Sequence, residues 1–277
     1  MTAKLDFIYI GTPKAGSTWL FEALRHHPDV QLFPGKASKF FETETPRPIA
    51  EYDQQLNRFE GSGKIGEISH DAYLYPHNAA LLREHNPDLK ILVCLREPGD
   101  FARSLILWLH AHTRDYGDCA QDMLKHPKIR SWMNYAAGLQ PFFAEFPADQ
   151  IKVLFFEDFK ANPAKFYRDV CDHVGISHEW QPASLQEVVN PARAPRFDLL
   201  TQIVFKIGVV TRLLGFGGIV EAAKRWKLLE KLLYAPSKAV EIGQHEAARI
   251  ERALARNSYD QLERTIGVDV PAAWREN

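Results

Sequence analysis

The sequence has few cysteines and no excess of either charge. Only three of its 277 residues are cysteine, an odd number without a CxxC pair. Cys94, Cys119 and Cys171 therefore exclude a disulfide framework and are expected to be buried free thiols in a reducing compartment. The formal net charge is −1, so the chain has no general attraction for nucleic acid or for an anionic membrane. Any anion site must come from a local cluster of cations.

The sequence also lacks a visible leader and an uninterrupted apolar run. The first strand is predicted to begin by Leu5, which leaves no room for a signal peptide. The longest apolar region, residues 199–220, is broken by Lys206, Arg212 and several glycines. It favours a core or cleft-covering helix over a transmembrane span, with a helix lying on a membrane surface as the alternative. A cytoplasmic location with at most weak membrane-surface contact is expected.

Short apolar runs alternate with helical patterns along the chain. Strands are predicted at 5–10, 30–33, 64–68, 90–95 and 151–157. Helices are predicted at 17–27, 76–86, 99–113, 131–146 and 162–174. Three of the strand runs are nearly continuous in apolar residues, as in strands that are covered on both faces. The pattern predicts an α/β fold, a P-loop-like three-layer domain with a central, mostly parallel sheet flanked by helices.

Domain organisation is expected to be simple. Residues 1–277 are predicted to form one domain, with a nucleotide-binding core over about 1–185 and a helical acceptor-side region over about 186–277. No repeat or low-complexity linker separates the two parts. Residues 33–63 lack periodicity and carry Gly, Pro and charge, which is typical of a binding loop. The sequence gives no indication of the oligomeric state.

The first predicted strand leads into the loop TPKAGSTW, residues 12–19. A loop between a buried strand and a helix N-terminus presents backbone N–H groups and a positive dipole end to an anion. Gly16 allows close backbone approach, Ser17 and Thr18 add hydroxyl donors, and Lys14 adds a point charge. The outline is that of G-x-x-x-x-G-K-[ST], but no lysine stands between the glycine and the hydroxyls. A tight turn that binds nothing is the alternative.

This loop resembles the 5′-phosphosulfate loop of sulfotransferases that use 3′-phosphoadenosine 5′-phosphosulfate (PAPS), whose signature is P-K-[SA]-G-[ST]-[ST]-W. The resemblance implies that Lys14 contacts the bridging oxygen and the transferring sulfuryl group. It also implies that Trp19 lies against the adenine. Between Lys14 and Trp19, the resemblance implies that Ala15, Gly16, Ser17 and Thr18 bind the cofactor. The last three of these would hold the 5′-phosphate.

A second stretch, LREPGDFARS at 95–104, ends the predicted strand at 90–95. It resembles the 3′-phosphate motif of the same family, R-[DN]-P with a serine eight residues after the arginine, which gives Arg96 and Ser104. A 3′-phosphate needs a fixed cation and a hydroxyl donor beyond the carboxyl end of a strand. Without the second motif residue, Arg96 would be interpreted as one partner of a surface salt bridge. In NPARAPR, Arg193 and Arg196 are either further contacts to the 3′-phosphate or plain surface arginines.

Sulfuryl transfer needs a base that removes the acceptor's proton. One pattern in the family is K-E-x-x-F-F with the glutamate as base, but the matching text KASKFF has Ala37 in that place. The other pattern is K-T-H after the third strand, where Ile68 replaces the lysine and the resemblance makes His70 the base. A neutral imidazole suits that task near pH 7. His70 could instead cap a helix or pack in a loop, and Glu67 is the fallback acid or orienting group.

The resemblance implies a PAPS-dependent sulfotransferase that moves a sulfuryl group in line to a hydroxyl or amine and releases adenosine 3′,5′-bisphosphate. The acceptor is expected to be a carbohydrate or small metabolite, and a lipid is the alternative. A nucleic acid is not expected. Residues 36–63, the segment after Asp71 and the helical region at about 197–235 would shape the acceptor pocket. No H-E-x-x-H motif or Cys/His grouping is present, so no catalytic metal is expected.

Two other interpretations stay open. A P-loop small-molecule or nucleotide kinase is disfavoured by the missing lysine before Ser17 and by the pair Arg96 and Ser104, which a 5′-triphosphate does not require. A catalytically degenerate nucleotide-binding protein of the sulfotransferase fold is favoured by Ala37 and Ile68, which depart from the two family patterns.

Overall fold

The computed structural model describes residues 3–112, 127–182, 185, 193–195, 234–236 and 260–275. Its main sheet has five strands in the order β2-β3-β1-β4-β5. Every neighbouring pair in this sheet is parallel. The strands are β1 (Phe7–Gly11), β2 (Val30–Leu32), β3 (Lys64–Ile68), β4 (Lys90–Leu95) and β5 (Ile151–Phe155). All five predicted strands are thus present, with ends shifted by a residue or two, and the predicted α/β fold is confirmed.

Helices connect the strands and cover the sheet. The α-helices are α1 (Ser17–Leu24), α2 (Ile49–Leu56), α3 (His77–His85), α4 (Pro98–His112), α5 (Pro127–Met133), α6 (Tyr135–Glu145), α7 (Phe156–Ala161) and α8 (Pro163–Val174). Single 3₁₀ turns lie at Ala72–Leu74, Ala148–Gln150 and Ala272–Trp274.

The single helix predicted at 131–146 is wrong, because two helices, α5 and α6, meet there. The side chain of Asn134 accepts a hydrogen bond from Ala137 N at 3.3 Å and so caps α6. The helix α2 was not predicted within 33–63, since its only buried residues, Tyr52 and Leu56, make too short a pattern. The chain turns into α7 directly after β5, where the strand was predicted to continue.

Beyond residue 185 the described residues are few. Residues 260–266 are helical, as predicted for this region. A short antiparallel ribbon was not predicted; it pairs β6 (Arg193–Pro195) with β7 (Tyr234–Pro236), and β6 contacts α4. A pairing between distant segments leaves no local period in the sequence, which is why the helical prediction fails there. The apolar stretch 199–220 lies outside the described residues, and the single-domain organisation stays a prediction.

The two faces of the sheet carry two separate cores. On β1, Ile8 and Ile10 pack with the side chains of α2, α3 and α6, whereas Phe7 and Tyr9 pack with those of α1 and α8. This alternation follows from the two-residue period of a strand. It explains why the central strands are apolar throughout. Within the described residues no helix is both long and apolar enough to cross a membrane.

The buried cysteines follow the prediction where the structure describes them. Cys94 on β4 and Cys171 on α8 are buried free thiols, and Cys119 lies outside the described residues. Because β1, β3 and β4 run parallel and adjacent, their carboxyl ends meet at one edge of the sheet. The segments that follow these three strands therefore come together, as in other open α/β sheets that bind ligands at this edge.

Candidate active site

The loop between β1 and α1 is fixed to the neighbouring strand. Both the backbone N–H and the hydroxyl of Thr12 donate to the carbonyl of Cys94, each at 3.0 Å. The hydroxyl of Tyr9 donates to the carbonyl of Thr12 at 3.0 Å. Gly16 ends the loop with φ 86°, a conformation that favours glycine, and α1 begins at the next residue. The first N–H groups of α1 have no partners within the helix and make its start a site for an anion.

Lys14 lies inside this loop with φ 60°. Burial, with the nearby charge of Arg96 as a second cause, lowers the pKa of Lys14 to about 8. Its Nζ lies 5.8 Å from the ring centroid of Trp108 on α4. The indole is 41% exposed. The loop therefore holds a partly desolvated cation between the start of α1 and an exposed aromatic ring.

Trp19 lies in the core beneath the loop. Its ring centroid is 4.6 Å from that of Phe159 and 5.9 Å from that of Phe166. Only 3% of Trp19 is exposed, so little of the indole is open to a ligand. Its contact with an adenine stays a prediction. Ala15 and Ser17 are also buried, at 1% and 8% exposure, so they can offer the site mainly their backbone N–H groups and the serine hydroxyl.

Arg96 joins the segment after β4 to this loop. Its Nη1 donates to the carbonyl of Lys14 at 3.0 Å, and its guanidinium stacks over the ring of Phe156 at 4.6 Å. Burial lowers the pKa of Arg96, although Nη2 lies 3.7 Å from Oδ2 of Asp100. Within the described part of the chain, Nε of Arg96 is buried and makes no hydrogen bond. A buried donor without a partner is uncommon in folded proteins. The surface that Arg96 offers to a ligand is the 16% of its side chain that stays exposed.

Glu97, where the family motif has Asp or Asn, caps α4. Its carboxylate accepts from Gly99 N at 2.9 Å and from Asp100 N at 2.6 Å. A carboxylate at this position satisfies orphan N–H groups and complements the helix dipole. The N-terminus of α4 is therefore closed by the protein itself, and an anion beside Arg96 must be held by side chains.

Asp100, which lies beside Arg96, forms ion pairs with two further cations. Its Oδ1 lies 3.0 Å from Nη1 of Arg103, and its Oδ2 lies 3.3 Å from Nζ of Lys160. Ser104 follows Asp100 by four residues on α4, so the two side chains lie on the same side of the helix. Arg96 thus lies just before α4, and Ser104 lies within its N-terminal half. A phosphate beside Arg96 would meet the cations of Arg96, Arg103 and Lys160, in competition with the carboxylates of Asp100, Glu157 and Glu97.

His70 lies just after β3, between two carboxylates. Its Nδ1 is 4.0 Å from Oε1 of Glu42, and its Nε2 is 3.8 Å from Oδ1 of Asp71. A third of its side chain is exposed. Burial lowers the pKa of His70, and the charges of Lys36 and Lys39 act in the same direction, while the two carboxylates oppose them. The imidazole is therefore neutral at neutral pH and able to accept a proton.

The two carboxylates are themselves held in place. Glu42 pairs with Nζ of Lys39 at 2.5 Å and accepts from Ser69 Oγ at 3.3 Å. Asp71 accepts from Trp132 Nε1 at 3.0 Å and lies 3.2 Å from Nζ of Lys128. In the sequence, Glu42 is near Ala37 but does not occupy the acidic position of the family pattern, so no role is predicted for it. Its proximity to His70 depends on how the KASKFF segment folds back on the sheet.

Glu67 is fully buried and faces away from solvent. It accepts from the N–H and the hydroxyl of Ser38 at 3.0 and 2.8 Å, and from the hydroxyl of Tyr52 at 2.7 Å. Burial raises the pKa of Glu67 to about 7. A carboxyl group without exposed surface cannot reach an acceptor from the cleft. This placement favours the orienting role for Glu67 over that of the base.

The segment of residues 36–41 lies against β3 through Glu67. Phe40 and Phe41 are buried at 2% and 0% exposure in the core. Lys36 turns the opposite way, and its Nζ donates to Oγ1 of Thr18 at the start of α1. Its carbonyl accepts from Ile68 N at 3.0 Å. In the sequence, Lys36 is only part of a motif, and no pattern there predicts that it reaches the phosphate loop, residues 12–19.

The end of the chain also touches the site. Trp274 Nε1 donates to Oε2 of Glu157 at 3.0 Å, and Oε1 of the same carboxylate accepts from Glu97 N at 3.2 Å. The side chain of Arg193 is not described, and Arg196 lies outside the described residues, so the contacts of both arginines with the 3′-phosphate stay predictions.

Among the residues that the structure describes, no group of three or more His, Cys, Asp or Glu side chains is placed to hold a metal ion.

Comparison with known proteins identifies a family. The family model described as sulfotransferase domain matches residues 4–194. Two proteins of Mus musculus, heparan sulfate glucosamine 3-O-sulfotransferases 3B1 and 3A1, are each 27% identical over 192 residues, which cover 61% of this chain and 45% of theirs. The match thus spans less than half the length of these relatives. A crystal structure of a sulfotransferase from Alicyclobacillus acidocaldarius, 22% identical, covers 99% of both chains with a TM-score of 0.69 and shows the same fold.

Proposed function

Because the chain belongs to the sulfotransferase domain family, we propose that it moves a sulfuryl group from PAPS to a hydroxyl or amine of an acceptor. The observation that carries this proposal is the contact between its two anion-binding segments. Nη1 of Arg96 donates to the main-chain carbonyl of Lys14 at 3.0 Å, and the charge of Arg96 acts on the Lys14 ammonium, so the cations after β1 and β4 lie near each other. A donor with anionic groups at both the 5′ and the 3′ position needs two such cations at a fixed separation.

The side chains present fit this donor. Lys14, Gly16, Ser17 and Thr18 would hold the 5′-phosphosulfate at the start of α1. Arg96, whose side chain is partly exposed, would hold the 3′-phosphate together with Ser104. When bound, PAPS supplies an electrophilic sulfur and a phosphate leaving group. Lys14 would offset the charge that develops on that phosphate during transfer.

His70 is the base in this proposal. Its imidazole would accept the proton of the acceptor as the oxygen or nitrogen attacks. Glu42 and Asp71, both within 4.0 Å of the ring, would stabilise the imidazolium that forms. Their own contacts keep them from rotating away. This arrangement supports catalysis although Ala37 stands where one family pattern has its acid.

A ring-bearing acceptor, and a carbohydrate hydroxyl in particular, fits the site best. Trp108 is 41% exposed, and its ring lies 5.8 Å from Nζ of Lys14, the residue proposed to contact the sulfuryl group. Such a face suits the apolar side of a sugar ring or another flat ring. The two mouse relatives are named for the sulfation of glucosamine in heparan sulfate, which supports a carbohydrate for this chain.

The donor is tested by isothermal titration calorimetry of the full chain with adenosine 3′,5′-bisphosphate and, separately, with ATP and Mg²⁺. We expect micromolar binding of the bisphosphate and no turnover of ATP. ATP hydrolysis or transfer without bisphosphate binding would establish the kinase interpretation instead. Transfer is then measured with ³⁵S-labelled PAPS and separate panels of glycans, aromatic metabolites and lipids. Bisphosphate binding without transfer to any of them would indicate a degenerate enzyme.

A further inference from the structure

Lys36 reaches the phosphate loop from a different part of the chain. Its Nζ donates to Oγ1 of Thr18, one of the hydroxyls proposed to hold the 5′-phosphate. The backbone of Lys36 is also bonded close to the proposed base, because its carbonyl accepts from Ile68 N, two residues before His70, and the charge of Lys36 contributes to the lowered pKa of His70. The sulfur atom must lie between the 5′-phosphate and the attacking group for in-line transfer. Lys36 therefore stands beside the position that the reacting group would occupy.

The backbone of Lys36 supports a role for its side chain. In the described residues, positive φ outside glycine occurs only at Lys14 (60°), Lys36 (86°) and Lys39 (65°). This conformation is unfavourable for a residue with a side chain and easy for glycine. Lys36 is nevertheless fixed in it, because its N–H donates to Phe33 O at 3.1 Å and its carbonyl accepts from Ile68 N at 3.0 Å. Outliers of this kind gather at functional sites.

The neighbouring strand offers no cation at this place. Ile68, the last residue of β3, is fully buried and apolar. Lys14 approaches the site from the side of Trp108 and Arg96. Lys36 approaches from the side of His70. Charge that develops on the sulfuryl oxygens would therefore be met from both sides only if both lysines contribute.

We propose that Lys36 is a second catalytic lysine, which contacts the sulfuryl oxygens opposite Lys14 during transfer. This inference rests on the proposed function. In the step itself, a bond forms between sulfur and the acceptor oxygen or nitrogen while the bond between sulfur and the bridging oxygen breaks. The bond's electron pair leaves with the phosphate of adenosine 3′,5′-bisphosphate, and the acceptor's proton passes to His70. Lys36 keeps its proton throughout and acts by charge and hydrogen bonding.

The test compares Lys36→Met and Lys36→Gly with a control at a surface lysine, Lys165→Met. The Nζ of Lys165 also pairs with another side chain, Asp169, but this pair lies on α8 and the lysine side chain is 66% exposed. We expect kcat to fall about 10²–10³-fold in both Lys36 variants. It should stay within about twofold of the wild-type value in Lys165→Met. Affinity for adenosine 3′,5′-bisphosphate should change less than about tenfold in all three, since this nucleotide lacks the sulfuryl group.

Two further readouts separate catalysis from a structural role. Lys36→Gly should melt no lower than the Lys36→Met variant, because glycine accepts φ 86° without strain. The acidic limb of the pH profile of kcat/KM should move to higher pH in Lys36→Met, because loss of a nearby cation raises the pKa of His70. Glu42, Asp71 and Lys39, which also face the imidazole, are unchanged in that variant.

Three outcomes would overturn the proposal. If Lys36→Met has the kcat of the wild-type protein and still binds the bisphosphate, Lys36 has no catalytic role, and the proposed function is unaffected. A double variant of Lys36→Met and Thr18→Ala that is no slower than Thr18→Ala alone would show that Lys36 acts only by holding Thr18. Absence of bisphosphate binding in the wild-type protein would overturn the proposed function and this inference together.

Discussion

Arg96 donates a hydrogen bond from Nη1 to the main-chain carbonyl of Lys14 at 3.0 Å. The bond ties the segment after β4 to the loop after β1, so the proposed sites for the two phosphates cannot move independently. The charge of Arg96 is also the second cause, after burial, of the lowered pKa of Lys14. Changes at either residue are therefore expected to be felt at both sites.

Replacement of Arg96 by methionine is expected to weaken binding of adenosine 3′,5′-bisphosphate by about 10- to 100-fold, the value of a lost charged hydrogen bond. Binding of adenosine 5′-phosphate, which lacks the 3′-phosphate, should change far less. Titration calorimetry with both nucleotides measures the difference. The control is Arg83→Met, because the guanidinium of Arg83 donates to Pro87 O and lies outside the proposed site. Equal losses for both nucleotides would mean that Arg96 serves only to shape the loop.

Binding of the same bisphosphate should depend on the protonation of Lys14. Lys14 is a cation below its pKa of about 8 and loses its charge as the pH rises through that value. The dissociation constant should therefore stay level between about pH 7, where the phosphate monoesters of the ligand are already dianions, and pH 8, and rise above it. Lys14→Arg should bind with a level profile across this range, since a guanidinium remains charged. A rise of the same size in Lys14→Arg would assign the effect to another group.

The change His70→Asn is expected to lower kcat by about 10²–10⁴-fold, the usual contribution of a general base. Affinity for adenosine 3′,5′-bisphosphate should be unchanged, because the ring lies on the acceptor side. In the wild-type protein the acidic limb of kcat/KM should fall below pH 6.5, since burial lowers the pKa of His70 from that value. His178→Asn, at an exposed histidine 2.9 Å from Asp172, is the control. Full activity of His70→Asn would exclude it as the base.

The buried carboxyl of Glu67 makes stability depend on pH. Its pKa in the folded protein is about 7, above the ordinary value of 4.5, so the folded state binds the proton more tightly than the unfolded state. The free energy of unfolding should therefore fall as the pH rises from 4.5 through 7, by at most about 3 kcal/mol. Urea unfolding at pH 5 and pH 8.5 should show this fall in the wild-type protein and little of it in Glu67→Gln. Glu84→Gln, at an exposed glutamate, should behave as the wild type.

Loss of the exposed indole should affect the acceptor and spare the donor. Trp108→Ala is expected to raise KM for a ring-bearing acceptor by about 3- to 10-fold, the value of an aromatic contact. Trp108→Phe should recover most of that loss because it keeps a flat face. Steady-state kinetics with the best acceptor from the screen, together with calorimetry of the bisphosphate, measures both effects. An unchanged KM in Trp108→Ala would place the acceptor elsewhere.

Much of the fold and the donor side could be predicted from local sequence. The apolar runs gave all five strands of the main sheet, and Asn162 caps α8 as its place before Pro163 indicates, accepting from Lys165 N at 2.9 Å. Helix ends were less certain where a side-chain cap interrupts a continuous pattern, as at Asn134. The loop of residues 12–19 and Arg96 are predicted to bind the donor because the spacing of their motifs along the chain is itself the signal, and this assignment stays a prediction.

The acceptor side depends on contacts that no local pattern encodes. Glu42 meets His70, and Lys36 meets Thr18, because residues 36–41 fold back on β3, where Ser38 bonds to Glu67 and Phe40 and Phe41 enter the core. These partners are far apart in sequence, so neither spacing nor periodicity reports them. The sequence alone determined the α/β order, since backbone hydrogen bonding and apolar periodicity are local, and it supplied the motifs from which the donor-binding residues are proposed. Only the tertiary structure decided which side chains surround the reacting group and which are buried, because desolvation and charge proximity arise from packing.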